Sequence, residues 1–420
     1  MVFVVFLMAM SFLYNYYGTP RMEEMEKEED EPSLQKGRKV KNIQKGSREK
    51  KAVKRRYEKV EPPLQRNLGS ETSRKPAKQQ RISSELTGEM SSPLSQQCSI
   101  SLSDFTFLHF LGRGASGEVM TASWRNKDEI VVVKVIKKDA VSTNSILSEC
   151  CTLKIARECL FLCEGLAAFQ TQSHAFLVMP FLWGGSLASY LVKKSCLEIY
   201  EARFYSAEII CGLEFLHSHG ILHLDIKPEN LLFDGDGHMR IGDFGLVKEN
   251  YTGDDQAFGV IGTTTHMAPE VAVNSKYGTS ADWWSFGVTL FQMLVGCLPT
   301  NLEKMCSLYP SRAKKFRLPR ELPEDSNNIL SELLEKDPEH RLGVKGNTRL
   351  HSFYSTINWN DLERKNIQPP YQPQRESIVD SMWQIQEQSL SFMDSEMTES
   401  SSGDSQDIPG LSFLSSKWRD

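Results

Sequence analysis

This 420-residue chain lacks several features that would assign it to a class at sight. Its nine cysteines form no Cys-x-x-Cys pair and no Cys/His ligand pattern, which argues against a zinc module and for reduced thiols in a cytosolic protein. No apolar run reaches the ~20 residues that a bilayer-spanning helix needs. No internal repeat is visible. A strong charge of one sign is also missing, since the net charge is −5, but that sum hides an uneven distribution. Lys and Arg crowd residues 36–81, as in Lys50-Lys-Ala-Val-Lys-Arg-Arg56, while Asp394 to Asp407 is acidic and serine-rich. The rest of the composition, 40% hydrophobic and 25% charged, is ordinary for a soluble globular protein. The length suits two or three average domains or one bilobal unit of about 250 residues with extensions.

What is present is a series of motifs in a fixed order. Gly112-Arg-Gly114-Ala-Ser-Gly117-Glu-Val119 comes first, followed by Val131-Val-Val-Lys134. His223-Leu-Asp225 then precedes Asn230, Asp243-Phe-Gly245 comes next, and Ala268-Pro-Glu270 closes the series. Any one of these could arise by chance. Together, in this order, each supplies a different part of one phosphoryl-transfer site.

The glycines at 112, 114 and 117 let backbone approach the phosphates of a nucleotide, with Val119 packed on its base. The tip of that loop, Ala115-Ser116, is small and carries no aromatic. Lys134 is a charge within a β-branched strand, where burial without a partner would be costly. Pairing with nucleotide phosphates and a helix carboxylate accounts for it, with Glu149 as first choice and Glu158 as second. Leu153, one helical turn after Glu149, is expected to pack between lobes. Asp225 is the expected acceptor of a substrate hydroxyl proton, and Lys227 neutralises charge on the transferred phosphate. Asn230 and Asp243 offer oxygens to Mg²⁺. Phe244 is a packing residue, and Thr263 is placed to bond Asp225 and Lys227. Glu270 and Arg341 are expected to form a buried ion pair, and Asp282 to cap catalytic-loop amides.

Hydrophobic patterning supplies the frame. Phe105 opens an alternating strand, Ile130–Ile136 and Phe176–Met179 read as further strands, and Ser148–Cys159, Glu201–His217 and Asp282–Val295 read as helices. The fold class is α+β: a small antiparallel-sheet lobe joined to a larger helical lobe. Residues 105–353 are the expected catalytic domain, with bounds taken from the family resemblance described below, preceded by residues 1–104 and followed by a tail at 354–420. From Met22 to about Ser103 the chain is polar and aperiodic, and disorder is expected. Its basic block is a solvated tail in the plainest reading, with nuclear localisation or attraction to anionic lipid as sharper ones. Met1–Tyr17 is strongly apolar. A signal peptide or short anchor, a hydrophobic patch on a cytosolic protein, and a mis-called start codon compete for it. Secretion would part such an enzyme from ATP, which favours the last two.

Phe105–Phe353 resembles the catalytic domain of the AGC serine/threonine kinases, most closely the protein kinase C branch. The echoes are Ile155-Ala-Arg-Glu158 ahead of Phe169-Gln-Thr171, Gly242-Asp-Phe-Gly-Leu-Val-Lys-Glu-Asn250, and Thr356-Ile-Asn-Trp359 ahead of Pro369-Pro-Tyr371. Aligning on the first echo places the family's helix carboxylate at Glu149. The resemblance implies the bilobal protein-kinase fold and a catalytic set of Asp225, Lys227, Lys134, Glu149 and Thr263. It also implies an ATP site formed by Gly112 to Gly117, Arg113, Gly114, Ala115 and Ser116 included, with Val119, Lys134, Met179 and Phe181. Mg²⁺ would be held by Asn230 and Asp243. Lys227 within Asp225-Ile-Lys-Pro-Glu-Asn230 matches the serine/threonine pattern rather than the tyrosine one.

Departures from the family are equally informative. Leu224 stands where the family usually has the Arg that reads an activation-loop phosphate, and Gly259 stands where it has the Thr that carries it. Control by activation-loop phosphorylation is therefore not expected. The tail segment Ile408-Pro-Gly-Leu411-Ser412-Phe413 has aliphatics in place of both docking aromatics, so docking on the small lobe is not expected, and Ser412 is a phosphosite only by analogy. Met397 stands near where a tail aromatic approaches ATP. Glu229 matches an acid that recognises a basic residue before the acceptor, while Ser186 and Gln292 replace further acids. A weakened basophilic preference follows, and Lys78-Gln-Gln-Arg81-Ile-Ser83 offers an autophosphorylation or substrate-mimic sequence. No lipid- or calcium-binding module of the family is recognisable. The expected protein is a monomer acting on protein substrates, not nucleic acid, and cytoplasmic, with nuclear or weak membrane association as further options. The alternative is a pseudokinase scaffold, favoured by Leu224, Gly259, the bare loop tip and the altered tail.

Overall fold

The computed structural model describes residues 100–114, 116–125, 127, 129–251, 257–299, 322–374 and 407–418. All of them belong to one compact unit. The apolar start at 1–17, the basic region with Lys78–Ser83, Ala115 and Met397 lie outside the described residues.

The small lobe is a six-stranded antiparallel sheet in the order β1-β2-β3-β5-β4-β9. Its strands are β1 (Phe105–Gly114), β2 (Gly117–Trp124), β3 (Glu129–Lys137), β4 (Ala167–Gln170), β5 (His174–Pro180) and β9 (Phe413–Leu414). Side chains alternate across a strand, so β3 has two different faces. Val131, Val133 and Val135 enter an apolar cluster with Phe105, Trp124, Phe169 and Phe176, while Lys134 and Ile136 point to the opposite side. The alternation is thus what turns a lysine inside an apolar strand toward the cleft.

Helix α1 (Thr143–Ala156) crosses that face and starts before the Ser148 expected from hydrophobic spacing. Ser142 supplies the reason, since its hydroxyl accepts from the Ser145 amide and caps the first turn. Ile146, Glu149, Cys150 and Leu153 are buried along one side of the helix at 3-4 spacing. Leu153 belongs to the main core, which runs from Ile136 of the small lobe to Leu231 and Phe286 of the large one.

The large lobe is mostly helical. A short strand β6 (Gly185–Ser186) leads into α2 (Leu187–Lys194), then α3 (Ile199–Ser218). Strands β7 (Leu231–Phe233) and β8 (Met239–Ile241) complete a three-stranded sheet with β6. Helices α4 (Pro269–Ala272), α5 (Ser280–Val295), α6 (Glu324–Leu333) and α7 (Trp359–Glu363) follow. Helix α5 is buried nearly all round, as its continuous apolar sequence requires. Among the described residues no helix is long and apolar enough to cross a membrane.

The tail corrects one expectation. Far from leaving the small lobe, residues 408–418 are seated on it, with Ile408 and Leu411 both buried. Gln170 and Ile408 exchange a reciprocal pair of bonds at 3.0 and 2.8 Å, Lys154 Nζ donates to the Gly410 carbonyl, and Cys150 Sγ donates to that of Leu411. Phe413 and Leu414 then add a strand to the β4 edge, and Trp418 stacks on Trp124 at 4.7 Å. Aliphatic side chains suffice because hydrophobic stabilisation follows buried area rather than ring geometry. The backbone bonds are indifferent to side-chain identity.

Candidate active site

Charged side chains gather in two clusters, one joining the small lobe to the Asp243 segment and one on the loop bearing Asp225. In the upper one, Lys134 Nζ lies 2.5 Å from Glu149 Oε1 and 2.9 Å from Asp243 Oδ1. Burial disfavours the ammonium, but the Asp243 and Glu149 carboxylates outweigh it and raise the Lys134 pKa. Asp243 moves the other way, its carboxyl drawn down to about 2 chiefly by the Lys134 charge. Glu149 rather than Glu158 is thus the partner of Lys134, because α1 turns Glu149 inward among Ile146, Cys150 and Leu153.

In the lower cluster Asp225 is held on both carboxylate oxygens. Oδ1 accepts from the Thr263 hydroxyl at 2.6 Å and its amide at 3.1 Å. Oδ2 accepts from Lys227 Nζ at 2.7 Å and Asn230 Nδ2 at 3.0 Å. Lys227 Nζ also donates to Thr263 Oγ1 at 2.7 Å, closing a ring of three side chains.

The loop bearing these residues is fixed from beneath. Asp282, fully buried on α5, accepts from the His223 and Leu224 amides at 2.9 and 2.7 Å and from His217 Nε2 at 2.8 Å. Those bonds hold Leu224 at φ 65°, a left-handed conformation that a leucine rarely adopts. His223 Nδ1 accepts from the Asp225 amide, so its Nε2 is the nitrogen that donates to the Gly242 carbonyl. The imidazole thereby links the segment bearing Asp225 to the one bearing Asp243, a role that its sequence position gave no means to specify. Phe244 is buried edge-on against the same ring. Glu270 and Arg341 form the expected buried pair at 2.6 and 3.0 Å.

The β1–β2 hairpin carries most of the residues expected to face a nucleotide. Gly117 cannot be replaced without distortion, because a Cβ there would lie 2.4 Å from the Val135 carbonyl oxygen. Val119 pairs with Lys134 across β2 and β3, and Met179 and Phe181 stand at the end of β5, half-buried. Arg113 bonds Glu118 across the hairpin and stays largely exposed.

A divalent cation fits the oxygens below. Asn230 spends its amide N–H groups on Asp225, leaving its carbonyl oxygen free, and Lys134 occupies only one oxygen of Asp243. Two hard oxygen donors beside phosphate oxygens suit Mg²⁺, which keeps few protein ligands. Among the described residues no group of three or more His, Cys, Asp or Glu side chains offers a rival metal site.

Comparisons with known proteins agree with this geometry. The protein kinase domain family profile matches residues 105–353. The protein kinase C delta type of Mus musculus is 40% identical over 327 residues, which cover 76% of this chain and 48% of that protein. The Homo sapiens delta type is 38% identical over 334 residues, 77% and 49% of the two chains. The Oryctolagus cuniculus epsilon type is 33% identical over 310 residues, 70% and 42%. The chain spans about half the length of the delta-type relatives it matches.

Proposed function

Since the chain belongs to the protein kinase family, we propose that it transfers the γ-phosphoryl group of MgATP to serine or threonine hydroxyls of protein substrates. The observation that carries this reading is the Asp225–Lys227–Thr263 ring. Asp225 orients the substrate hydroxyl and takes its proton as the bond to phosphorus forms. Lys227, already beside that carboxylate, neutralises charge on the phosphoryl oxygens in flight. Lys134, held by Glu149, fixes the α- and β-phosphates. Mg²⁺, held by Asn230 and Asp243, would screen the phosphate charge.

Activation is proposed to need no phosphate on the activation segment. Leu224 is buried in an apolar cluster with Ala268, Val271, Tyr277 and Trp284, with Ala257 and Ile261 packed against it. Bonds that involve no phosphate brace the same segment: Ala257 pairs with Tyr277, the Gly259 amide donates to Asn274 Oδ1, and the Lys248 ammonium donates to the Phe258 carbonyl and the Tyr277 hydroxyl. Residues 252–256 of this segment lie outside the described residues.

Basic residues near the acceptor are proposed to help, through Glu229 alone. Ser186 is occupied as the cap of α2, accepting from the Ser189 amide, and Gln292 Oε1 is tied to His266 Nε2 at 2.7 Å. The test is phosphate transfer from MgATP to a basic serine peptide and to its alanine-substituted counterpart. Wild type should prefer the basic peptide, and Asp225→Asn should lower the rate by about 10²–10⁴-fold. Equal, negligible rates for wild type and Asp225→Asn would favour the scaffold reading.

A further inference from the structure

The tip of the glycine loop carries a serine, Ser116, in the neighbourhood of Lys134. A Cβ built on Gly245 would sit 2.5 Å from Ser116 Oγ and 2.9 Å from Lys134 Nζ. The loop hydroxyl and the ammonium therefore crowd the same side of the glycine of Asp243-Phe244-Gly245, close to one another. Among the described residues nothing hydrogen-bonds that hydroxyl, and Ser116 is only half-buried at the hairpin turn. Arg113, three residues earlier on the same hairpin, is paired with Glu118 yet keeps 57% of its side-chain surface accessible.

We propose that Ser116 is a regulatory phosphorylation site whose phosphate shuts off nucleotide binding. A phosphoserine carries about −1.5 to −2 charge and three acceptor oxygens. At this position it would pair with Lys134 and take the place that the nucleotide's phosphates need. It would also repel those phosphates directly, which a loop aromatic or a neutral serine does not do. In the transfer, Ser116 Oγ bonds to the γ-phosphorus of ATP as the β–γ bridging P–O bond breaks. ADP leaves with the electron pair, and the hydroxyl proton passes to the donor kinase's catalytic carboxylate. Arg113 makes the sequence a basic-residue-led acceptor, so a second copy of this chain suits as donor; that part rests on the function proposed above. A separate kinase would deliver the same chemistry.

Binding of MgATP to the full chain, followed by melting-temperature rise and by direct titration, tests the charge effect in Ser116→Glu against the neutral Ser116→Gln. The Glu variant should bind about tenfold more weakly than the Gln variant, because only it sets an anion beside Lys134. Equal binding by the two would overturn the switch. Failure of wild type itself to bind MgATP would remove the nucleotide-site reading and the switch with it. Incubating wild type, MgATP and the Asp225→Asn chain, then mapping phosphate by mass spectrometry, identifies the donor. Phosphate on Ser116 of the Asp225→Asn copy supports a second copy, and phosphate only on protein recovered from cells supports a separate kinase. An unmodified Ser116 in both would overturn the proposal.

Discussion

The catalytic loop and the activation segment meet at Thr263, yet opposite forces hold them. On one side are charges bonded to charges: Lys134 with Glu149 and Asp243, Lys227 with Asp225. On the other, Leu224 lies in an apolar cluster, and the bracing bonds run to carbonyls, an amide and a tyrosine hydroxyl, with the Lys248 ammonium as the one charged donor and no carboxylate opposite it. In the proposed reaction each charge of the first set has a phosphate, a metal or a proton to act on. On the proposed reading the second set only has to hold a loop in place, which apolar packing can do without a phosphate. On that reading the Arg and the Thr that the family resemblance leads one to expect at positions 224 and 259 can be absent while the residues proposed for the chemistry are present.

The largest effect should come from breaking the ionic side. Lys134→Met leaves the buried Glu149 carboxylate unpaired, which should cost about 3–5 kcal/mol of stability and abolish MgATP binding. Urea unfolding and ATP titration check both. Next comes the attempt to convert the apolar side to the ionic kind. Leu224→Arg sets an unpartnered guanidinium among Ala268, Val271 and Trp284 and should cost roughly 3 kcal/mol. Adding Gly259→Thr should make matters worse, since that glycine sits at φ 109°. Recovery of stability in the double variant after phosphorylation would show that the segment can still be run by charge.

A pH effect of comparable or smaller size belongs to His266. Burial pulls its pKa down to about 4, against the raising influence of its bond with Gln292. Between the unfolded value of about 6.5 and this folded value, the unfolded chain binds a proton that the folded one does not. Stability should therefore fall as pH drops through that window, by up to about 3 kcal/mol, and level off below it. His266→Gln should flatten this part of the stability profile, and an unchanged slope would assign it to other groups. The smallest change is expected in the tail: Trp418→Ala, losing the stack on Trp124, should cost about 1 kcal/mol by thermal melting.

The sequence is most legible where chemistry restricts the choice of residue. Asp225, Lys134 and Asp243 stand out because few side chains could do the work proposed for them, and the alternation of β3 even explains which way Lys134 points. Glu149 is harder to separate from Glu158, since either carboxylate is acceptable on a helix until the inward face is known. The tail departs from expectation because absent aromatics do not mean absent docking: Leu411 and bonds from Gln170 and Lys154 to backbone carbonyls carry it. Bonds that a carbonyl or amide makes leave no mark on residue identity. The same holds for the bracing of Gly259 by Asn274 and for His223 bridging to Gly242.

One measurement bears most directly on control without an activation-segment phosphate: the peptide-phosphorylation rate of the full chain before and after complete phosphatase treatment, with phosphate content mapped between Asp243 and Glu270. The predicted result is a rate that does not fall, and that rises if Ser116 had been modified. A rate that collapses on dephosphorylation and returns when a residue of that segment is phosphorylated again would contradict it.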